Sequence, residues 1–372
     1  MGESKAVIGA EKAILKDDII KTVEQRYQRV KAEKARMIQE WKNNLTDLTS
    51  DAKEKVETYE GIITELQFEI NSGINVEENE KKIAELEEKI DKLEEKKYTD
   101  ADLKQAEREI MKDIMVKEEG SFCPFCGENF GSSDGVKQHL CEKEAFTDKD
   151  LEKMNTPSER STNYAENYKA EHGTNRFTVN VPLEEFDNDE LEIDIGEEIH
   201  HLISVGPYAF TLRINRLGNY FGIDINSTDN LISAPSVDPV AFKKKHGMAF
   251  SDLSDKSKYD IAAAAIEKSK IQYHKGNHDF EPEKGIPSYE KKLVQDLAEI
   301  EYEILAKSRK EGCLGQTPEG REEAKNLIDN KLKELQEKIK SDITDFEPSP
   351  DGKQIVERFL AKEDYKYHTG KG

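Results

Sequence analysis

His200 and His201 stand side by side, Asn230 follows downstream, and His274 and His278 are spaced His-x3-His in the run Tyr273-His-Lys-Gly-Asn-His278. Neutral imidazole is the commonest biological metal ligand and the usual general base near neutral pH. An adjacent pair can place one ring on a cation and leave its neighbour to take a proton from water. On a helix, His274 and His278 would share one face, one turn apart, at chelating distance. His172, His246 and His368 need no role beyond packing or surface.

A second cluster holds sulfur. Phe122-Cys123-Pro-Phe-Cys126 is followed by Phe130, Val136, His139 and Cys141. Through Cys123, Cys126 and His139 the spacing resembles a two-Cys/two-His zinc finger, with the Cys pair on a tight turn, Phe130 and Val136 as a small core and His139 on a short helix. The usual fourth ligand comes four to six residues after the first His. Here the candidate is Cys141, two residues on, so the helix must end or unwind at His139 for both to reach one ion. His172 is a weaker candidate. The finger helix carries Asp134, Lys137 and Gln138 but no Arg, which points to structural zinc rather than base recognition.

Bulk composition limits what surrounds these clusters. The chain has 372 residues, which suggests two to three domains at about 150 residues each. It is 36% charged and 35% hydrophobic with one Trp, a balance that suits several small cores and long helices better than one large core. A net charge of −22 argues against coating nucleic acid through phosphate contacts alone, but not against meeting a phosphate at a local metal ion. No apolar run approaches the ~20 residues of a membrane span. The N-terminus lacks a signal-peptide core, and Ala6 stands where a myristoylation motif wants Ser or Thr. Three of the four cysteines fall in one short segment, a metal-site pattern that suits synthesis in a reducing cytoplasm; export would use a route without a cleavable signal.

The positioning elements are largely helical, and the expected class is α+β. Apolar residues from Val23 to Ile70 recur at steps of three and four, save between Val30 and Met37 where Lys34 takes the stripe position, and predict a long helix over about 12–71, broken at Asn71-Ser72-Gly73. Ile83, Leu86, Ile90 and Leu93 predict a second helix, giving a helical hairpin or short coiled coil, and a third follows over about 100–118. Residues 142–176 read as a polar linker with some helix. Phe177, Val179 and Val181 alternate as a strand, as do Leu191, Ile193 and Ile195. Ala209–Ile214 fits strand or short helix. Helices are expected over 239–270, 287–308 and from Thr317-Pro318 to about Ser341, with a loose tail. The expected division is a coiled-coil region (1–118), a zinc knuckle (119–145), a linker (146–175), a domain carrying the histidines (176–310) and a helical extension (311–372).

Strand, strand, helix around one divalent ion is the ββα-metal arrangement of HNH nucleases. The chain resembles the AHH branch of the HNH/endonuclease VII group, found in bacterial polymorphic toxins. The resemblance is carried, in order, by His200-His201, Gly222-Ile-Asp-Ile-Asn226, Asn230, His274-Lys-Gly-Asn-His278, and Tyr289 with Val294 and Leu297. It spans roughly 195–300, with Ile199 and Ser204 where the family has Ala and Pro. It implies that His200, His274 and His278 hold a catalytic divalent ion (Mg2+, Zn2+ or Ni2+). His201 would be the general base, and Asn230 would orient His201 through its backbone or approach the ion. It further implies a nucleic acid substrate, with DNA the expectation, and Lys275 and Lys243–Lys245 as candidate phosphate contacts. The implied partners are a cognate immunity protein and a component of a contact-dependent or type VI-like delivery system, with action in the cytoplasm of a target cell. Two other readings stand beside this one: a non-enzymatic zinc-binding coiled-coil adaptor, and an HNH nuclease of phage or defence origin. There is no His-Glu-x-x-His motif to indicate a zinc protease.

Overall fold

Alternation of side chains decides the sheet. Phe177, Val179 and Val181 alternate with polar residues in β1 (Phe177–Pro182), and Leu191, Ile193 and Ile195 alternate with acids in the first half of β2 (Glu190–His201). Period-two placement gives one apolar face, so Val179, Val181, Ile193 and Ile195 are buried while Glu192 and Asp194 are exposed. β1 pairs with this first half, Val179 opposite Ile193. The second half of β2 pairs with β3 (Leu231–Ser236), His200 opposite Ile232 and His201 opposite Leu231. The sheet is antiparallel in the order β1-β2-β3.

The computed structural model describes residues 2–44, 50–71, 75–94, 98–143, 146–187, 189–274, 278–279 and 287–344. It is predominantly helical and of the α+β class. Two compact units divide the chain, Met1–Arg29 with Met115–Gly372, and Val30–Ile114. The boundaries fall inside α1 (Gly2–Asn44) and, after α2 (Ser50–Asn71) and α3 (Val76–Glu94), inside α4 (Asp100–Glu119). The helix expected over 12–71 is thus represented by α1 and α2, with 45–49 outside the described residues. In the smaller unit α2 and α3 pack together as a hairpin, and Asn79 Nδ2 donates to Glu69 Oε2 at 2.9 Å. α1 meets the start of α4 through Trp41 on Tyr98, 5.2 Å between ring centroids, and through Lys34 to Glu107 at 3.6 Å.

The larger unit contains the sheet, α5 (Ser133–Leu140), α6 (Asp148–Met154), α7 (Tyr164–His172), α8 (Val205–Phe210) and α9 (Leu212–Phe221). It continues with α10 (Pro239–His246), α11 (Asp255–Ser269), α12 (Tyr289–Glu311) and α13 (Pro318–Ile343). Ala209–Ile214 is helical, across the junction of α8 and α9. The region 239–270 is two α-helices, because Gly247 at φ +77° ends α10 in the left-handed conformation that glycine tolerates. Ser132, Ser254, Ser288 and Thr317 each cap a helix by accepting from an N–H in its first turn. One core lies between β1/β2 and α11, where Ile261 and Ala265 meet Ile193 and Ile195. A larger one joins Phe125 and Leu140 to α9, α12 and α13 through Leu217, Leu297, Ile304, Leu332 and Ile339. The tail predicted to be loose lies, beyond residue 344, outside the described residues.

Charge is also buried in this unit, and it is paired. Arg26 Nη1 donates to Glu119 Oε1 and Nη2 to Glu301 Oε2, both at 2.6 Å. Arg213 donates from Nε to Glu119 Oε2 at 2.8 Å and from Nη1 to Glu301 Oε1 at 3.3 Å. These four side chains are at most 13% exposed. Burial pushes the Glu119 carboxyl up, but Arg26 and Arg213 outweigh it and hold the group below the usual glutamate range. A carboxylate with a depressed folded pKa stabilises above its unfolded value of about 4.3, and that contribution is lost as the pH falls through the folded value. Glu119→Gln leaves Arg26 and Arg213 short of a buried counter-charge and is expected to cost about 3 kcal/mol at neutral pH. Urea unfolding of wild type and variant should show that gap narrowing by about pH 3.5; a gap of equal size at both pH values would contradict this account.

Candidate metal centres

β2 ends at His200 and His201, whose backbones pair with β3. His274 reaches the same place from another direction. Lys270, at φ 58°, caps α11 in the left-handed region and stops it. Ile271 then bridges Thr344, Gln272 N donates to Ile343 O, and His274 N donates to Pro235 O at 2.9 Å. With these backbone groups committed to the ends of α13 and β3, residues 271–274 are extended. His278 lies in a turn whose carbonyl faces Glu290 N in the first turn of α12 at 3.4 Å. The expectation of a helix bearing His274 and His278 is therefore corrected. A shared helix face does not set their spacing; separate backbone anchors do.

The three rings still converge. Ligand atoms of His200, His274 and His278 all lie within 4.8 Å of one another. His274 Nε2 is 3.1 Å from His200 Nδ1, and the ring centroids are 4.9, 5.2 and 5.3 Å apart. Two imidazole nitrogens on one ion at ~2.05 Å bonds stand about 3.0–3.3 Å apart, so this pair fits a shared cation. Burial first, and then His274 and His278, hold His200 well below the ordinary histidine value, which keeps it in the neutral, ligating form. Its Nε2 is buried with no hydrogen-bond partner among the described residues. Glu198 Oε2 faces His274 Nδ1 at 3.5 Å, the carboxylate–imidazole placement that turns the other nitrogen toward a metal. Tyr289, at the start of α12, packs its ring 5.3 Å from His200 and 5.7 Å from His278, and its hydroxyl donates to Leu202 O.

His201 is oriented differently. Its Nε2 is 3.2 Å from Asn226 Oδ1, and its ring leans on Tyr164 at 4.6 Å. Asn226 Nδ2 donates to Glu159 O at 2.8 Å while Oδ1 accepts from Ser161 N at 3.0 Å. That network fixes the amide, so Oδ1 faces His201 and Nε2 must carry the imidazole proton. Nδ1 is left with the lone pair. Burial lowers the His201 pKa to about 4, against the opposing Asn226 bond, so the ring is a neutral base at neutral pH.

Asn230 does not touch the three-histidine cluster. Its Oδ1 accepts from Ile203 N at 2.8 Å and from Gln336 Nε2 at 3.3 Å, and its Nδ2 donates to Ile203 O at 3.0 Å and Ile225 O at 2.8 Å. It thus holds the backbone two residues beyond His201, while its own carbonyl accepts from Leu202 N. Of the candidate phosphate contacts, Lys245 pairs with Asp194 at 2.9 Å and Glu192 at 3.3 Å, Lys243 and Lys244 are exposed on α10, and Lys275 lies outside the described residues.

The sulfur cluster is also formed, with one ligand exchanged. Ligand atoms of Cys123, Cys126, His139 and Cys313 lie within 4.8 Å of one another. Cys123 Sγ is 3.7 Å from Cys313 Sγ, and Cys126 Sγ is 3.6 Å from His139 Nε2. A tetrahedral ion with bonds of ~2.3 Å to sulfur and ~2.05 Å to nitrogen requires edges of about 3.8 and 3.6 Å. The donor set fits. Cys141, expected as the fourth ligand, is instead the C-cap of α5, and its thiol donates to Phe146 O at 2.9 Å. Two residues beyond His139 on a helix that does not unwind, it points elsewhere. Cys313 arrives on the Gly312–Gly315 turn between α12 and α13. A Cβ on Gly315 would stand 2.5 Å from Leu140 and Phe125, so only glycine allows the approach. Gln316 adds contacts to His139 Nδ1 and O at 3.3 and 3.2 Å.

Sequence reasoning did not single out Cys313, Glu198, Arg160 or Tyr164. Cys313 was the one cysteine left outside the cluster, but nothing local ties it to residues so far away. Asn226 belongs to the Gly222–Asn226 run, whose spacing alone assigns it no role. Comparisons with protein-family models, curated proteins and solved structures return no match to this chain. Metal analysis of purified protein distinguishes the two fourth-ligand assignments. Cys313→Ala is expected to lower bound metal by about one equivalent, or to shift a cobalt-substituted protein away from thiolate-rich tetrahedral absorption. Cys141→Ala should retain both; the reverse pattern would restore Cys141.

Proposed function

We propose that this protein is a metal-dependent endonuclease, with DNA as its substrate. The observation that carries the reading is the split of the adjacent pair. His200 joins His274 and His278 in a buried cluster, while His201 is held in the Nε2–H tautomer by Asn226, its Nδ1 lone pair kept for a proton. An imidazole base next to a cation site is a combination that can hydrolyse a phosphodiester. His200, His274 and His278 would hold the divalent ion, which when bound neutralises charge on the scissile phosphate and the leaving oxygen. His201 Nδ1 takes a proton from water as the water oxygen attacks phosphorus. The phosphorus–O3′ bond breaks, and the departing oxygen takes its proton from solvent. Tyr289 and Asn230 hold the backbone just beyond the pair, at Leu202 and Ile203, so that both rings keep their places.

The Cys123, Cys126, His139 and Cys313 set would hold structural zinc, since three thiolates and one imidazole at tetrahedral spacing suit that ion. It would staple the turn between α12 and α13 to the knuckle. The resemblance to AHH nucleases supports a toxin role, delivered by a contact-dependent or type VI-like system and restrained by an immunity protein.

His201→Ala is expected to lower plasmid cleavage at least ~100-fold, the usual scale for a general base, while metal binding at the histidine cluster survives. His278→Ala and His274→Ala should weaken that binding, read by titration with a competing chelator. Expression of wild type in bacterial cytoplasm should arrest growth with chromosome loss, and His201→Ala should not. Wild-type cleavage by pure His201→Ala would reject the assignment of the base.

A further inference from the structure

The stretch between α6 and α7, polar and without a sequence pattern, is sewn to the site. Ser158 N and Oγ bond to Asn215 and Asn219 of α9, and Glu159 O and Ser161 N are both taken by Asn226. One side-chain amide therefore fixes the peptide on each side of Arg160 and, with the same oxygen, the His201 ring. The Arg160 guanidinium lies over the Tyr164 ring at 4.4 Å and bonds its hydroxyl, and Tyr164 leans on His201. Arg160 is exposed. Among the described residues it forms no ion pair. Other described cations, such as Lys243 and Lys244 on α10, are also exposed, but Arg160 is the one stacked on a ring that itself leans on His201.

We propose that Arg160 is the anion-binding residue of this site, held beside His201 by Asn226 and Tyr164 to receive a phosphodiester oxygen of the nucleic acid; this rests on the nuclease reading. A guanidinium offers two parallel donors to phosphate, and its planar face stacks on an aromatic ring. Tyr164 fills that stacking role and limits the rotamers of the long side chain. The site offsets the protein's overall negative charge locally, with one arginine that pairs with no acid among the described residues and the cation that the histidines would hold. Arg160 comes from a segment outside the region that resembles AHH nucleases.

The test is anisotropy of a fluorescein-labelled DNA duplex without added divalent metal, in the His201→Ala background to prevent cutting. Arg160→Ala is expected to weaken binding about tenfold. It should also lower the slope of log K against log salt by about 0.9, the signature of one lost phosphate contact. Arg160→Lys keeps the charge without the fork and should restore the slope but only part of the affinity. Affinity and slope unchanged in both variants would overturn the proposal. A second arm separates it from the nuclease reading. If wild type with added magnesium, manganese, nickel or zinc leaves DNA intact while binding still depends on Arg160, the enzyme reading falls and the anion site stands. If wild type cuts and Arg160→Ala cuts with the same KM, the anion site falls alone.

Discussion

Asn230 closes the excursion that leaves β2 after His201 and returns as β3, and the rest of the histidine site depends on that closure. Its amide takes both the N–H and the carbonyl of Ile203 and also the carbonyl of Ile225, while its own carbonyl takes Leu202 N. It is fully buried, so an apolar replacement would strand several backbone groups without water. Between its two ends the chain runs through α8 and α9 and the turn bearing Asn226. Because Asn230 fixes where that loop starts and stops, Asn226 is delivered to His201 and to the segment around Arg160. One amide sets the frame, and a second orients the His201 ring within it.

The chain manages its charge by location. The Arg26–Glu119–Arg213–Glu301 ring buries ions where they can pair, joining α1, α4, α9 and α12. On the surface, Lys245 is drawn to the acids on the outer face of β2. Arg160 is an exposed cation, stacked on Tyr164, that has no such partner among the described residues. An acidic protein can thus present a locally favourable place for an anion without changing its overall field. The sulfur cluster plays a different part. Its Cys313 lies on the turn after α12, beside Cys123 of the knuckle, and α12 begins at Tyr289, which packs on His200 and His278.

Much of the secondary structure was legible because it follows local rules. The alternation in β1 and β2, the threonine and proline that start α13, and the heptad-like spacing of α2 and α3 all act over a few residues. The knuckle was legible through Cys123, Cys126 and His139 for the same reason. Where the local rules failed, a distant partner had intervened. His-x3-His looked helical, but Thr344, Ile343 and Pro235 claimed the backbone of residues 271–274. Cys141 was the nearest thiol in sequence, but the α5 helix continues to it and turns it toward Phe146.

The sequence by itself determined the donors: which imidazoles and thiols exist, that three cysteines and one histidine lie near one another along the chain, and that His200 and His201 end a strand. It determined the strand alternation and the helix caps, since those are encoded within one turn or one pleat. Only the tertiary structure decided that Cys313 replaces Cys141, that His200 and His201 part company, and that Arg160 and Tyr164 stand beside them. Each of those outcomes rests on hydrogen bonds and packing between segments tens to nearly two hundred residues apart. Such contacts have no periodicity to read, because their geometry is set by where the intervening chain folds.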